Sequence, residues 1–190
     1  MNFCSDCGAP VEKRRCEIDN RERFYCKSCD TVHYQNPKIL VSCYATWEDK
    51  ILWIRRNTEP CKGLWSAPSG FLEEGEDLET AAARELYEET QARIDSTRMQ
   101  LHMVGNLRAM NQIYIVYRAP LIKPEFNTTA EASEVRLFSR EEFPFGEFAY
   151  PEVVSNVELI YRELQNKEYD VYTGVLEGDK NTVRSVERKE

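Results

Sequence analysis

Residues 70–92 read GFLEEGEDLETAAARELYEETQA, and this stretch decides how the rest of the chain is read. A turn containing Gly70 and Gly75 leads into a run of Leu, Ala, Arg and Glu, all good helix formers. Asp77 stands where a side chain can accept from the free amides of a first helical turn, so it is the expected N-cap. On that helix Glu85, Glu88 and Glu89 fall at i, i+3 and i+4, which crowds three carboxylates onto one face. Like charges at that spacing destabilise an isolated helix. A divalent cation offsets the repulsion, and carboxylate oxygens that leave room for water suit Mg²⁺ or Mn²⁺. The competing reading is a solvated acidic face on a surface helix.

The wider pattern decides between them. Gly70, five residues, Glu76, seven residues, then Arg84-Glu85-Leu86-Tyr87-Glu88-Glu89 resembles the Nudix box, GX5EX7REUXEEXGU. Two positions depart: the final glycine of the box is Gln91, followed only by Ala92, and the usual leading Gly-Gly is Ser69-Gly70. The resemblance implies an α/β/α sandwich with a mixed sheet. It also implies that the Gly70 carbonyl with Glu85, Glu88 and Glu89 ligates the metals. Arg84 would orient a box glutamate, and Glu76 would brace the turn against the helix. In the family a further glutamate outside the box reaches the metals. Glu134 holds that place and would complete the metal set or act as the base, with Glu131 as its rival.

Residues 1–35 form a separate unit. Cys4-x-x-Cys7 and Cys26-x-x-Cys29 are separated by eighteen intervening residues, which is zinc-ligand spacing: four thiolates close a tetrahedron around Zn²⁺ and leave no open position for catalysis. So short a segment needs metal to fold. Cys16 reads as a spare thiol, Cys43 and Cys61 as small core residues, and His33 as structural. The ribbon followed by Tyr34-Gln35-Asn36-Pro37-Lys38 resembles a Nudix subgroup that includes NADH pyrophosphatases and plant FAD pyrophosphatases.

The remaining chain, 36–166, alternates strand and loop signals. Ile39–Trp47 and Ile51–Ile54 read as a hairpin, Met99–Leu107 and Gln112–Tyr117 as two more strands, and 151–166 as a helix opened by Pro151. Residues 167–190 read as a polar tail, partly disordered, with Tyr169–Leu176 able to form an edge strand or a dimer contact. Arg55 and Arg56 emerge beside the glycine turn, where substrate phosphates lie in the family; a solvated strand end is the other reading. Trp65 and Phe148 are candidates for stacking on a base or flavin, against an equal or stronger case for packing.

The chain has 190 residues, a net charge of −8 and 42% hydrophobic residues, enough for one ordinary domain plus a small one. The acidic balance argues against a nucleic-acid backbone binder, although the ribbon gathers Lys13, Arg14, Arg15, Arg21, Arg23 and Lys27. No run is long and apolar enough for a membrane span, and seven cysteines, an odd number, fit a reducing compartment, so the expectation is a cytoplasmic protein. The expected reaction is hydrolysis of a nucleoside diphosphate linked to another group. The stretch EASEVRLFSREEFPFGEFAY is similar to the plant FAD pyrophosphatases, which implies FAD cleaved to FMN and AMP, and no SQPWPFPxS motif of the NADH enzymes is present. ADP-ribose or NADH is the alternative substrate. A non-catalytic nucleotide sensor is the alternative of another class, but it would be expected to carry a broken box. A homodimer is implied by resemblance alone.

Overall fold

The computed structural model describes residues 1–17, 19–177 and 180–186. It divides into two compact units, Met1–Pro37 and Lys38–Glu190.

The first unit is a small antiparallel sheet, β1 (Glu12–Arg15), β2 (Glu22–Cys26) and β3 (Thr31–His33), in that order. Its basic residues are largely engaged internally: Lys27 pairs with Glu12, Arg23 with Asp19, and Arg14 lies over the Tyr25 ring.

The second unit is built on a mixed sheet. Its strands are β4 (Lys38–Trp47), β5 (Lys50–Arg56), β6 (Trp65–Ser66), β7 (Ser69–Phe71), β8 (Gln100–Leu107), β9 (Gln112–Pro120), β10 (Ala132–Phe138), β11 (Tyr172–Val175) and β12 (Arg184–Ser185). The order is β10-β5-β4-β9-β8-β11-β12, with β6 paired to β5 and β7 to β4. β4 and β9 run parallel through the centre, as do β8 and β11; the other pairings are antiparallel. Strand alternation assigns the two faces. Val41, Cys43 and Ala45 of β4 and Ile115, Tyr117 and Ala119 of β9 meet Ala81, Ala82 and Leu86 of helix α1 (Leu78–Thr90). Tyr44, Trp53, Tyr114 and Val116 meet Val157, Ile160 and Tyr161 of helix α2 (Val154–Asn166). The result is the expected α/β/α sandwich. The alanines of α1 let it sit close on the sheet, and burying Leu86 there contributes about 2 kcal/mol.

One irregularity prepares the site. The hairpin partner β5 pairs with β4 only at Thr46↔Ile51 and Trp47↔Lys50, and then diverges. Further along, β7 takes its place, with Val41 opposite Gly70 and Ser42 opposite Ser69. The sheet therefore splits where the glycine turn enters, exposing backbone that a continuous ladder would cover.

Proline at 151 opens a single 3-10 turn, Pro151–Val153, and α2 proper begins at Val154. Part of the expected disordered tail, residues 178, 179 and 187–190, lies outside the described residues. The described part is ordered by pairing: β11 extends the sheet beside β8 and β12 pairs with β11. Among the described residues no helix is long and apolar enough to cross a membrane.

Candidate active site and zinc ribbon

Helix α1 is fixed at its start by Asp77, whose carboxylate accepts from the Thr80 amide at 2.8 Å and the Thr80 hydroxyl at 2.9 Å. Gly75 precedes it at φ +81°, a left-handed turn that glycine adopts without a Cβ clash. At the far end Gln91 takes up φ 58°, ψ 8°, the left-handed cap that the missing glycine would have supplied. Its side chain accepts from Asn127 Nδ2 at 3.1 Å.

The cap sets the phase of the helix, which turns its carboxylates towards β7. Glu85 lies directly against Gly70: a Cβ at that residue would stand 2.1 Å from the Glu85 carboxyl carbon. Glu89, only 6% exposed, accepts from the Ser69 amide at 2.8 Å. Desolvation pushes the Glu89 carboxyl up to about 8, with Glu85 and Glu131 raising it further and the Ser69 amide and Arg56 opposing. Burial also raises Glu85, opposed by Arg84 and reinforced by Glu88 and Glu131. Two desolvated, mutually repelling carboxylates beside exposed backbone form a donor set that a cation would satisfy.

Arg84 holds this cluster in place. Its guanidinium forks onto Glu76, with Nε to Oε1 at 2.6 Å and Nη2 to Oε2 at 2.8 Å. Its Nη1 donates to Glu85 at 2.8 Å and to Glu88 at 3.1 Å. Nη2 also reaches the Phe71 carbonyl at 3.3 Å, tying helix, turn and β7 together.

The candidates outside the box lie on and just before β10 and at the end of β5. Glu134 stands opposite Arg55 in the β10–β5 ladder and pairs with its Nη1 at 2.8 Å. A register shift between Ala132 and Glu134 moves the strand phase there. The charge of Glu131, just before the strand, adds to the repulsion that raises Glu85 and Glu89. Arg55 is held by Glu134, by Glu147 at 3.2 Å and by the Gly63 carbonyl at 2.7 Å. Arg56 acts on Glu89, lies over the Tyr150 ring at 5.7 Å and lines a cavity beside Gly70. Trp65 is 3% exposed and packed edge-on against Phe138, so its ring has no face for a ligand; its place on β6 turns it into the core. Phe148 packs against Trp53 and Phe143 and contributes a wall to the same cavity. Cys43 is buried as expected, whereas Cys61 is half-exposed at φ +66° in the loop after β5.

The cavity measures about 460 Å³ and opens beside Ser69 and Gly70 between Leu40, Tyr114, Phe148 and Tyr150. Ser66 and Tyr114, which also line it, carry no sequence signal that separates them from ordinary core strand residues.

In the ribbon the four thiols converge. All four Sγ atoms lie within 4.8 Å of one another, with Cys4–Cys29 at 3.6 Å and Cys7–Cys26 at 3.5 Å. A tetrahedron with Zn–S bonds of about 2.3 Å has edges of about 3.8 Å, so the set fits zinc. His33 Nε2 sits 3.2 Å from Cys4 Sγ, a position suited to orienting that thiolate.

Comparison with known proteins agrees with this geometry. Residues 37–157 match the NUDIX domain model and residues 2–35 the Nudix N-terminal zinc-ribbon model. A crystal structure of a NUDIX hydrolase from Nitrosomonas europaea is 36% identical, covers 92% of this chain and 98% of its own, and superposes with a TM-score of 0.86. An NAD-capped RNA hydrolase NudC from Vibrio parahaemolyticus is 33% identical over 52% of this chain and 36% of its own length. An ADP-ribose pyrophosphatase from Methanocaldococcus jannaschii is 42% identical over 30% of this chain and 34% of its own. The chain thus spans about a third of the length of these curated relatives. Glycine turn, capped acidic helix, split sheet and four-thiol ribbon together with these matches place the chain in the Nudix hydrolase family, joined to the family's zinc ribbon.

Proposed function

We propose that the protein is a metal-dependent pyrophosphohydrolase that cleaves a nucleoside diphosphate joined to a second group and releases a nucleoside monophosphate. The observation that carries this reading is the pair of desolvated carboxylates, Glu85 and Glu89, set against Gly70 and Ser69 at the mouth of a mostly apolar cavity.

Gly70 through its carbonyl, with Glu85, Glu88 and Glu89, would hold Mg²⁺ or Mn²⁺, and we take Glu131, whose charge bears on Glu85 and Glu89, ahead of Glu134, which is paired with Arg55, as the additional carboxylate. A divalent cation there supplies charge neutralisation for the diphosphate and a water of lowered pKa. Arg84 keeps Glu85 and Glu88 oriented, and Glu76 keeps Arg84 oriented. One of the box carboxylates or Glu131 takes the proton of the attacking water. Arg56, beside Glu89 and the cavity, is the cation available to a substrate phosphate.

The named relatives, an ADP-ribose pyrophosphatase and an NAD-capped RNA hydrolase, support ADP-ribose or an NAD-type dinucleotide ahead of FAD as the substrate. FAD rests on the resemblance of residues 131–150 alone, and Phe143 and Phe148 of that stretch pack with each other and with Trp53. The test is chromatography of products after incubation with Mg²⁺ and equal concentrations of ADP-ribose, NADH, FAD and a deoxynucleoside triphosphate. AMP from one or more of the first three is the expected outcome. Binding of ADP-ribose without turnover would replace this reading with a sensing module. The implied homodimer is read by sedimentation equilibrium, where a monomer mass would remove it.

A further inference from the structure

Two short 3-10 turns contribute walls to the cavity beside Gly70. Leu107 and Met110 line it at the turn Arg108–Met110, and Tyr150, Glu152 and Val153 line it at the turn Pro151–Val153. Neither turn is capped by its own first residue: Leu107 and Tyr150, at the cap positions, offer no side-chain hydrogen bond there. A single 3-10 turn has poor internal hydrogen-bond geometry, so contacts from elsewhere in the chain decide how firmly such a wall stands.

Both turns are gripped by the connection between β11 and β12. On the side of the first turn, the Leu176 amide donates to the Asn106 carbonyl at 3.0 Å, Asn106 Nδ2 donates to the Gly174 carbonyl at 3.4 Å, and Glu177 faces Arg108 at 3.8 Å. Leu176 is buried in the same cluster as Leu107. On the side of the second turn, one side chain makes the connection. Asn181 Nδ2 donates to the Glu152 carbonyl at 3.0 Å and to the Ser155 hydroxyl at 2.7 Å. Its Oδ1 accepts from the Glu177 amide at 2.5 Å. The orientation of this amide group is settled by its partners, because a flip would set its oxygen against the Glu152 carbonyl and its nitrogen against the Glu177 amide. Asn181 therefore bridges the residue that faces Arg108 and the backbone of the opposite wall.

Building on the hydrolase reading, we propose that Asn181 is a positioning residue for the substrate cavity: through it the β11–β12 hairpin fixes the Glu152–Val153 wall relative to the Leu107–Met110 wall, and so sets how tightly the nucleotide is held. Asn181 acts on affinity and leaves the chemical step alone. The carboxylates of α1 are held by other groups, Glu89 by the Ser69 amide and Glu85 and Glu88 by Arg84. A wall that is fixed before the ligand arrives does not have to be ordered by binding, and releasing it adds that cost to every binding event.

The test uses the full chain and three variants. Asn181→Ala removes the whole bridge. Asn181→Asp keeps an acceptor for the Glu177 amide and loses the donor to Glu152. Ser155→Ala takes one hydrogen bond from Asn181 and leaves the Glu152 contact in place. Calorimetry gives Kd for ADP-ribose without added divalent cation and for inorganic pyrophosphate with Mg²⁺, and initial rates with Mg²⁺ give KM and kcat for ADP-ribose. Both Asn181 variants are expected to raise Kd and KM for ADP-ribose by about five- to tenfold, the effect of one neutral hydrogen bond, with kcat and pyrophosphate binding within about twofold of wild type. Ser155→Ala should stay within about twofold throughout. Unchanged ADP-ribose affinity in both Asn181 variants would overturn the proposal. So would an equal loss in Ser155→Ala, or a loss of Tm and pyrophosphate binding together, either of which would make Asn181 a residue of the fold alone. A wild type that does not bind ADP-ribose would remove the cavity as its holder and the proposal with it. Failure of the hydrolase reading has a different signature, ADP-ribose bound by the wild type with no AMP formed, and the Kd comparison then still decides the role of Asn181.

Discussion

Gly70→Ala separates fold from chemistry in a single methyl group. The new Cβ would stand 2.1 Å from the Glu85 carboxyl carbon, where ordinary contact begins at 3.4 Å, so the carboxyl must retreat by at least 1.3 Å (3.4 − 2.1). Gly70 lies outside the left-handed region, so alanine is tolerated by the backbone. The atoms that must move are the end of a flexible side chain, which can swing away at little cost to the fold. Stability should therefore change by less than about 1 kcal/mol, within the range of ordinary substitutions. Displacing a reacting group by about 1 Å costs on the order of 10²-fold in rate. The expected result is a Tm close to wild type with kcat reduced about a hundredfold, measured as AMP release with saturating Mg²⁺. Activity within threefold of wild type would show that the approach of Glu85 to Gly70 is not part of the working site. A large loss of Tm would show that Gly70 serves the fold instead.

Three further outcomes follow from named side chains. In the metal-free protein the Glu89 carboxyl keeps its proton to about pH 8, above its unfolded value of 4.5, so the folded state binds more protons between those limits. That contribution to stability is fully present below pH 4.5 and is lost as pH rises through 8. Thermal unfolding without added divalent cation should show Tm falling over this window more steeply in the wild type than in Glu89→Gln, and saturating Mg²⁺ should remove the difference; identical slopes would contradict the desolvated carboxylate. Gln91→Gly relieves a left-handed non-glycine cap and should stabilise the protein by about 0.5–1 kcal/mol in urea unfolding, whereas a destabilised variant would mean the Asn127 contact outweighs the backbone strain. Glu131→Gln should lower kcat by tenfold or more while Glu134→Gln leaves it within about threefold, judged against mutational losses of 10²–10⁴ for proton-transfer groups; the reverse order would restore Glu134 to the metal site.

The box was legible because its spacing is the imprint of contacts. Gly70 is bare so that Glu85 can approach, Glu76 lies where Arg84 can fork onto it, and Asp77 caps the helix that carries both. The ribbon was legible for the same reason, since two Cys-x-x-Cys pairs leave few other uses for their thiols. What was hidden depends on non-local pairing. The pairing of Glu134 with Arg55 depends on a register shift in β10, and such a shift reverses the face a side chain takes. Trp65 reads as a candidate ligand contact because an aromatic beside a glycine turn looks the same whether it points into the core or out of it. The tail's β11 is four residues long and gains its order from parallel pairing with β8, far away in sequence.

On the reading proposed above, the carboxylate face of α1 is the working centre of a phosphoanhydride hydrolase. Glu88 tests it most directly, because its side chain is 57% exposed and Arg84 and Glu76 keep each other without it. The measurement is AMP release from ADP-ribose with Mg²⁺ by wild type and Glu88→Gln, alongside Tm and zinc content. The wild type is expected to form AMP and the variant to lose 10²-fold or more of that activity, at unchanged Tm and one zinc per chain. Full turnover in Glu88→Gln, or a wild type that releases no AMP from ADP-ribose, NADH or FAD, would contradict it.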